Sequence, residues 1–264
     1  MRHTSASTKA RMTPIPPPPP HSIAHTCVWQ DLLSRFLDCK DPADIPSSTE
    51  LRDVVMNFLI AGRDTTACAL SWTMYELNRH PDVKQKVLEE ANKFCSSGDR
   101  VPRDEDYTYE NIGEMRYTHA VALEVLRLHP SVPVEVKFSI NEDKLPDGTK
   151  IHPGCACIYS PYAMGRNKVI WGEDAEEFKP ERMLSKDDEG NVKNIEPSPF
   201  AYTTFNSGPR ICLGKGLALM EIKLALAILL QRFDFKLDGT HDGGYDSTLV
   251  LPMKPGLFMK VSKK

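Results

Sequence analysis

Ten consecutive residues, Phe205-Asn206-Ser207-Gly208-Pro209-Arg210-Ile211-Cys212-Leu213-Gly214, read Phe-x-x-Gly-x-Arg-x-Cys-x-Gly and suit a cysteine that ligates iron. A thiolate needs its charge offset, and backbone N–H groups do this where the chain turns tightly. Gly208 and Gly214 permit such a turn, because glycine tolerates positive φ and close backbone approach. A helical pattern starts just after Cys212, which places the sulfur near the positive end of a helix. Arg210 can pair with a carboxylate of a bound cofactor. Phe205 can shield the sulfur from water and so tune its potential.

Two further stretches carry polar groups at chemically useful spacing. Ala61-Gly62-Arg63-Asp64-Thr65-Thr66 lies in the middle of a long helical pattern. A glycine there costs about 1 kcal/mol relative to alanine. Thr65 and Thr66 can hydrogen-bond back to the carbonyls of Ala61 and Gly62, which bends helices. Such a local penalty suits close approach of a ligand, although taken alone it better suits a packing glycine beside two ordinary threonines. Glu124-x-x-Arg127 puts opposite charges on one helix face, by itself an i,i+3 pair worth about 0.2–0.5 kcal/mol. Downstream, Phe178-Lys179-Pro180-Glu181-Arg182 adds a third charged residue of interest.

In this order, these stretches resemble the cytochrome P450 family, the haem-thiolate monooxygenases, over roughly residues 31 to 264. The resemblance implies a mainly α fold with small β-sheets, the C-terminal half of the P450 fold. Haem b (iron protoporphyrin IX) would lie between the long distal helix and the Cys-loop helix. Cys212 would be the iron ligand, with Arg210, Phe205, Gly208 and Gly214 around the cofactor. Asp64 and Thr65 would occupy the positions of the acid–alcohol pair that relays protons to oxygen. Glu124, Arg127 and Arg182 would form a buried charged triad bracing the cysteine loop. The family often holds a haem propionate with an arginine in the strand after the Val-Pro step, and Lys137 stands there, a point charge rather than a fork. Tyr162-Ala163-Met164-Gly165-Arg166 and Ile170-Trp171-Gly172-x-Asp174 resemble the fatty-acid ω-hydroxylase branch.

The implied reaction inserts one oxygen atom from O2 into a C–H bond of a lipophilic substrate, a long-chain fatty acid first among them. Electrons would come from an NADPH-dependent cytochrome P450 reductase, since no Gly-x-Gly-x-x-Gly fingerprint is present. The family location is the endoplasmic reticulum membrane, cytoplasmic face; the sequence shows no anchor, so a soluble form is the alternative. The early helices and substrate-covering loop of the family are not represented. The alternative function is therefore a truncated, catalytically inactive fragment with a structural or interaction role. A haem-thiolate isomerase or dehydratase is disfavoured by Asp64 and Thr65, because such enzymes need no proton relay to oxygen.

Composition sets outer bounds. The chain has 264 residues, 41% hydrophobic, with 33 basic and 36 acidic side chains for a net charge of −3. That provides for a sizeable core and no global basic field for nucleic acid. Seven cysteines (Cys27, Cys39, Cys68, Cys95, Cys155, Cys157 and Cys212) are odd in number and scattered, unlike a disulfide framework, and show no zinc spacing. A reducing compartment fits this. No stretch reaches the roughly 18 apolar residues of a membrane span.

The elements that must position these residues are legible in outline. Residues 1–30, with Pro16 to Pro20 and no acidic residue, read as a disordered Pro-rich tail. Residues 31–264 read as the haem-binding part. Ser47 with Glu50 can cap a helix running from about Thr49 to Arg79, with Leu51, Val54, Val55, Phe58 and Leu59 as its stripe. Pro81 opens a helix to about Phe94, and another spans about Gly113 to His129. Strands are expected at Val134–Ile140 and Cys155–Tyr162, with a turn at Asp147-Gly148. Asp187–Pro199 reads as a surface loop. After Cys212 a helix runs to about Arg232, with Leu217, Met220, Leu224, Ala227 and Ile228 facing the core; Lys215 reads as a solvated residue or one that helps dock an acidic electron donor. The tail, including Gly243-Gly244, Leu249–Leu251 and Leu257–Val261, reads as strands.

Overall fold

The structure is a computed structural model that describes residues 33–34, 46–94, 106–239, 241–246 and 248–264. The expected tail at 1–30 lies outside the described residues, as does 96–105 of a polar, loop-like stretch expected over Ser96–Glu110, whose described end instead enters a helix at Tyr109. The chain divides into two units, Met1–Val55 and Met56–Lys264. In the first, a capping box opens a helix: Ser47 N donates to Glu50 Oε2 at 2.8 Å and Glu50 N to Ser47 Oγ at 3.3 Å. That helix, α1, is Ser48–Arg79.

The second unit contains α2 (Pro81–Asn92), α3 (Tyr109–Glu114), α4 (Arg116–Leu128), the short α5 (Pro161–Met164) and α6 (Lys168–Trp171), and α7 (Lys215–Arg232). Its strands are β1 (Glu135–Phe138), β2 (Asp143–Lys144), β3 (Lys150–Ile151), β4 (Ala156–Tyr159), β5 (Leu184–Lys186), β6 (Val192–Asn194), β7 (Phe233–Leu237) and β8 (Met259–Lys263). They pair antiparallel as β1–β4, β2–β3, β5–β6 and β7–β8. No helix among the described residues is long and apolar enough to cross a membrane.

Two apolar clusters hold the helices together. The first joins Ala69, Trp72 and Leu77 of α1 to Val83 and Val87 of α2, Leu123, Val125 and Leu126 among others of α4, and Leu219, Ile222, Leu226 and Leu230 of α7. The second gathers Ala91, Tyr107, Ile112, Met115 and Ala227, with Met220, Leu224 and Ile228 packed on it. Four residues of the expected core face of α7, Met220, Leu224, Ala227 and Ile228, pack in the second cluster, and a further face packs in the first. The helix is apolar nearly all round, so it is buried on two sides, and Leu217 of the expected stripe is 45% exposed. On α1 the expected stripe is only half-buried at Leu51, Val54, Val55 and Phe58, and Leu59 is exposed; fully buried residues begin at Cys68.

Other expectations change for local reasons. The single helix expected over 113–129 is two helices, because Met115 leaves helical geometry (φ −70, ψ 77) and Thr108 with Asn111 caps α3. The loop expected at Asp187–Pro199 contains β6. There the Asp187 carboxylate accepts from Glu189 N at 3.1 Å and Asn191 N at 2.8 Å, tightening a hairpin turn. Among the described residues, the tail around Gly243-Gly244 and Leu249–Leu251 forms no ladder beyond one bridge, Tyr245 with Met253. Its backbone is satisfied elsewhere: Leu251 N donates to Ser131 O at 3.0 Å.

Candidate functional site

The charged groups of α4 and the segment after α6 meet in a cluster whose centre, Glu124 and Arg127, is dry while Arg182 and Asp174 reach solvent in part. Glu124 and Arg127 lie one turn apart on α4, and neither side chain reaches solvent. Arg127 uses all five N–H donors: Nε to Glu124 Oε2 (2.7 Å), Nη2 to Glu124 Oε1 (2.7 Å) and Glu177 O (2.9 Å), and Nη1 to Ala175 O (2.5 Å) and Gly165 O. That satisfaction is what makes a buried ion pair tolerable. Arg182 approaches Glu124 Oε1 at 3.4 Å and is fastened by Trp171 O (2.8 Å) and by Asp174 through Oδ1 and O (2.9 Å each). Lys179 N also donates to Glu124 Oε1, at 3.0 Å. Hydrogen bonds from Arg182 and then Lys179 hold the Asp174 carboxyl down to about 2.

The same helix anchors the root of the cysteine loop. Tyr202 OH donates to Leu123 O at 3.0 Å and Thr204 Oγ1 to Leu126 O at 3.2 Å, while Thr203 Oγ1 lies 3.5 Å from Met164 Sδ. Burial pushes the Tyr202 phenol well above its ordinary range, so it stays a proton donor. Beyond this root the chain makes short 3-10 turns, with Gly208 at φ 68. Cys212 N donates back to Phe205 O at 2.8 Å. The Cys212 thiol is exposed, with Ile211 (50% exposed) and Leu213 (87%) beside it. Lys215 opens α7, lies 5.9 Å from the centre of the Phe205 ring and pairs with Glu196 at 2.9 Å.

The Asp64–Thr65 stretch is held from two sides. Thr65 Oγ1 donates to Ala61 O at 2.7 Å, whereas Thr66 Oγ1 is buried and makes no bond to Gly62, contrary to expectation. Thr65 is half-buried, and its side chain already uses the turn below it. Ser131 Oγ donates to Thr65 O at 2.8 Å. Trp72 Nε1 donates to Leu251 O at 2.9 Å, and the Trp72 ring stacks on His129 with centroids 4.0 Å apart. Asp64 is exposed and lies 3.8 Å from Arg63 Nε.

The candidate residues therefore fall into separate groups. Glu124, Arg127 and Arg182 are brought together. Phe205, Gly208, Arg210, Cys212 and Gly214 share one loop. Asp64 and Thr65 sit on α1, and Lys137 is on β1, opposite Cys157 of β4. Lys137 and Arg210 are exposed, and neither forms an ion pair among the described residues. An open cleft of about 660 Å³ lined by Glu90, Lys93, Arg116 and Lys193 contains none of these groups. Sequence reasoning missed Gly165, Asp174, Ser131, Tyr202 and Thr204 as supports. Gly165 and Asp174 stood in stretches noted only for their family wording. Hydroxyls next to a turn carry no distinguishing pattern.

The residues present fit a haem. Among the described residues no three His, Cys, Asp or Glu side chains gather to hold a metal ion. A soft thiolate at Cys212 suits the iron of a porphyrin. The flanking Ile211 and Leu213 offer apolar contact to a flat macrocycle, and Arg210 a cation to its carboxylates.

Comparison with known proteins agrees. The Cytochrome P450 family model matches residues 28–259. Cytochrome P450 704B1 of Arabidopsis thaliana is 39% identical over 259 residues, covering 90% of this chain and 48% of the relative. Cytochrome P450 704C1 of Pinus taeda is 40% identical over 249 residues, covering 90% and 47%. Cytochrome P450 94A2 of Vicia sativa is 35% identical over 237 residues, covering 89% and 44%. The chain spans about half the length of these relatives. With an exposed cysteine on an anchored loop, a buried Glu-x-x-Arg pair and these matches, the chain belongs to the cytochrome P450 family.

Proposed function

We propose that this chain is the thiolate-bearing part of a haem monooxygenase acting on lipophilic substrates, long-chain fatty acids first among them. The observation that supports it best is the exposed Cys212 thiol on a loop whose root is bonded to the helix of Glu124 and Arg127. When bound, haem supplies the oxygen-activating chemistry. Cys212 holds the iron, and Phe205 keeps water from the sulfur. Arg210 and Lys137 pair with the cofactor's carboxylates. Glu124, Arg127 and Arg182, with Asp174, keep the loop's support rigid, so the thiol is placed without reorganisation.

Asp64, at the solvent face of α1, exchanges protons with solvent, and Thr65 Oγ1, whose own hydrogen goes to Ala61 O, offers its oxygen as an acceptor that orients a water carrying them. Electrons come from an NADPH-dependent cytochrome P450 reductase at the endoplasmic reticulum membrane. The fatty-acid assignment rests on the resemblance of Tyr162–Arg166 and Ile170–Asp174 to the ω-hydroxylase branch. Turnover of a panel of fatty acids by haem-loaded chain with reductase tests the function. Hydroxylated product is expected, and none from any lipid in a loaded chain contradicts it.

A second reading, an inactive chain with an interaction role, draws on apolar side chains left exposed at Met56, Leu59 and Ile60 of α1 and at Val136, Phe138 and Ile158 of the β1–β4 pair. The same assay separates the two.

A further inference from the structure

Asn206 is the one non-glycine residue with positive φ among those described, and its backbone (φ 62, ψ −175) lies in a region essentially reserved for glycine. What holds it there is visible. Its Oδ1 accepts the Tyr159 hydroxyl at 3.1 Å and the Ser207 N–H at 2.9 Å. Tyr159 ends β4, paired with Glu135 of the strand that carries Lys137. On the other side, the peptide unit joining Phe205 to Asn206 carries the carbonyl that accepts Cys212 N–H at 2.8 Å. Turning φ of Asn206 turns that peptide unit, and with it the bond that fixes the cysteine.

We propose that Tyr159 and Asn206 form a latch that positions the Cys212 thiol. Tyr159 is a positioning residue: its hydroxyl holds Asn206 in a conformation asparagine otherwise leaves, and so fixes the Phe205 carbonyl. The latch also sets the loop against the β1–β4 pair, fixing Cys212 relative to Lys137. Glycine adopts the same backbone with no latch.

Amide hydrogen exchange on the haem-free full chain tests this. Tyr159→Phe is expected to speed exchange at Ser207 and Cys212 by about fivefold, the scale of one neutral hydrogen bond, leaving Val87 in α2 unchanged. Adding Asn206→Gly to Tyr159→Phe is expected to restore the wild-type rate at Cys212, whose acceptor is Phe205 O, and not at Ser207, which loses its acceptor Asn206 Oδ1. Unchanged exchange in Tyr159→Phe overturns the latch. So does acceleration that includes Val87, which marks Tyr159 as an ordinary packing residue.

The link to the thiol rests on the haem reading and is tested on haem-loaded, CO-bound ferrous chain. The thiolate-type Soret band is expected to decay faster in Tyr159→Phe and to be rescued by Asn206→Gly; equal persistence overturns that link. A wild-type chain with no such band defeats the haem reading, while the exchange result still decides the latch.

Discussion

The carboxylate of Glu124 meets the guanidinium of Arg127 at two points, 2.7 Å each, with both side chains sealed from solvent. Removing one partner leaves the other charged and dry. Arg127→Ala is expected to lose about 3–5 kcal/mol of stability by urea unfolding. Arg127→Lys is not expected to rescue it, because an ammonium has three donors and cannot reach acceptors arranged for a planar fork. A Lys variant within about 1 kcal/mol of wild type contradicts this account.

Gly165 touches the same arginine from outside. A Cβ at this position would lie 2.0 Å from the Arg127 carbonyl oxygen, and that neighbour is helix backbone. Gly165→Ala is therefore expected to destabilise by about 1–3 kcal/mol or more through overpacking. Thermal unfolding of the variant checks it, and an unchanged midpoint would count against the packing described.

Asp174 gives the cluster a pH signature. Its carboxyl titrates at about 2 in the folded chain against an ordinary 3.8, because Arg182 and Lys179 hydrogen-bond the anion. A depressed folded value means the contribution is fully present above about pH 4 and lost as pH falls toward 2. The stability advantage of wild type over Asp174→Asn is thus expected to shrink across that window and to be flat above it. A gap that persists at pH 2 contradicts the assignment.

Thr65 separates stability from function. Its hydroxyl bonds back to Ala61 within the helix, a local alternative that adds little to folding. Thr65→Ala is expected to change stability by less than about 1 kcal/mol. Product formation is expected to fall by about 10²-fold, the lower range for a lost proton-transfer group. Measuring both on one preparation checks this, and full turnover in the variant removes Thr65 from the proton path.

Much of this was legible from local pattern. The capping box at Ser47 and Glu50, the stop at Pro81 and the hairpin at Asp147-Gly148 follow from side-chain chemistry within a few residues. The Cys212 loop was legible because its glycines and Arg210 stand at fixed offsets. Features that depend on distant partners were not. No pattern near Asp174 tells that Arg182 will reach it, and nothing in Asn206-Ser207 announces Tyr159. On α7 the expected stripe marks one packed side, with Met220, Leu224, Ala227 and Ile228; the second side was not legible because an all-round apolar helix carries no periodic signal, and only packing assigns it.

The central claim is that Cys212 binds haem iron as a thiolate. The most direct measurement is the absorption spectrum of the intact, haem-reconstituted chain, reduced and exposed to carbon monoxide. The account predicts a strongly red-shifted Soret band that disappears in Cys212→Ser. A folded wild-type chain that takes up haem and shows no red shift, or a Cys212→Ser variant that keeps it, would contradict the account.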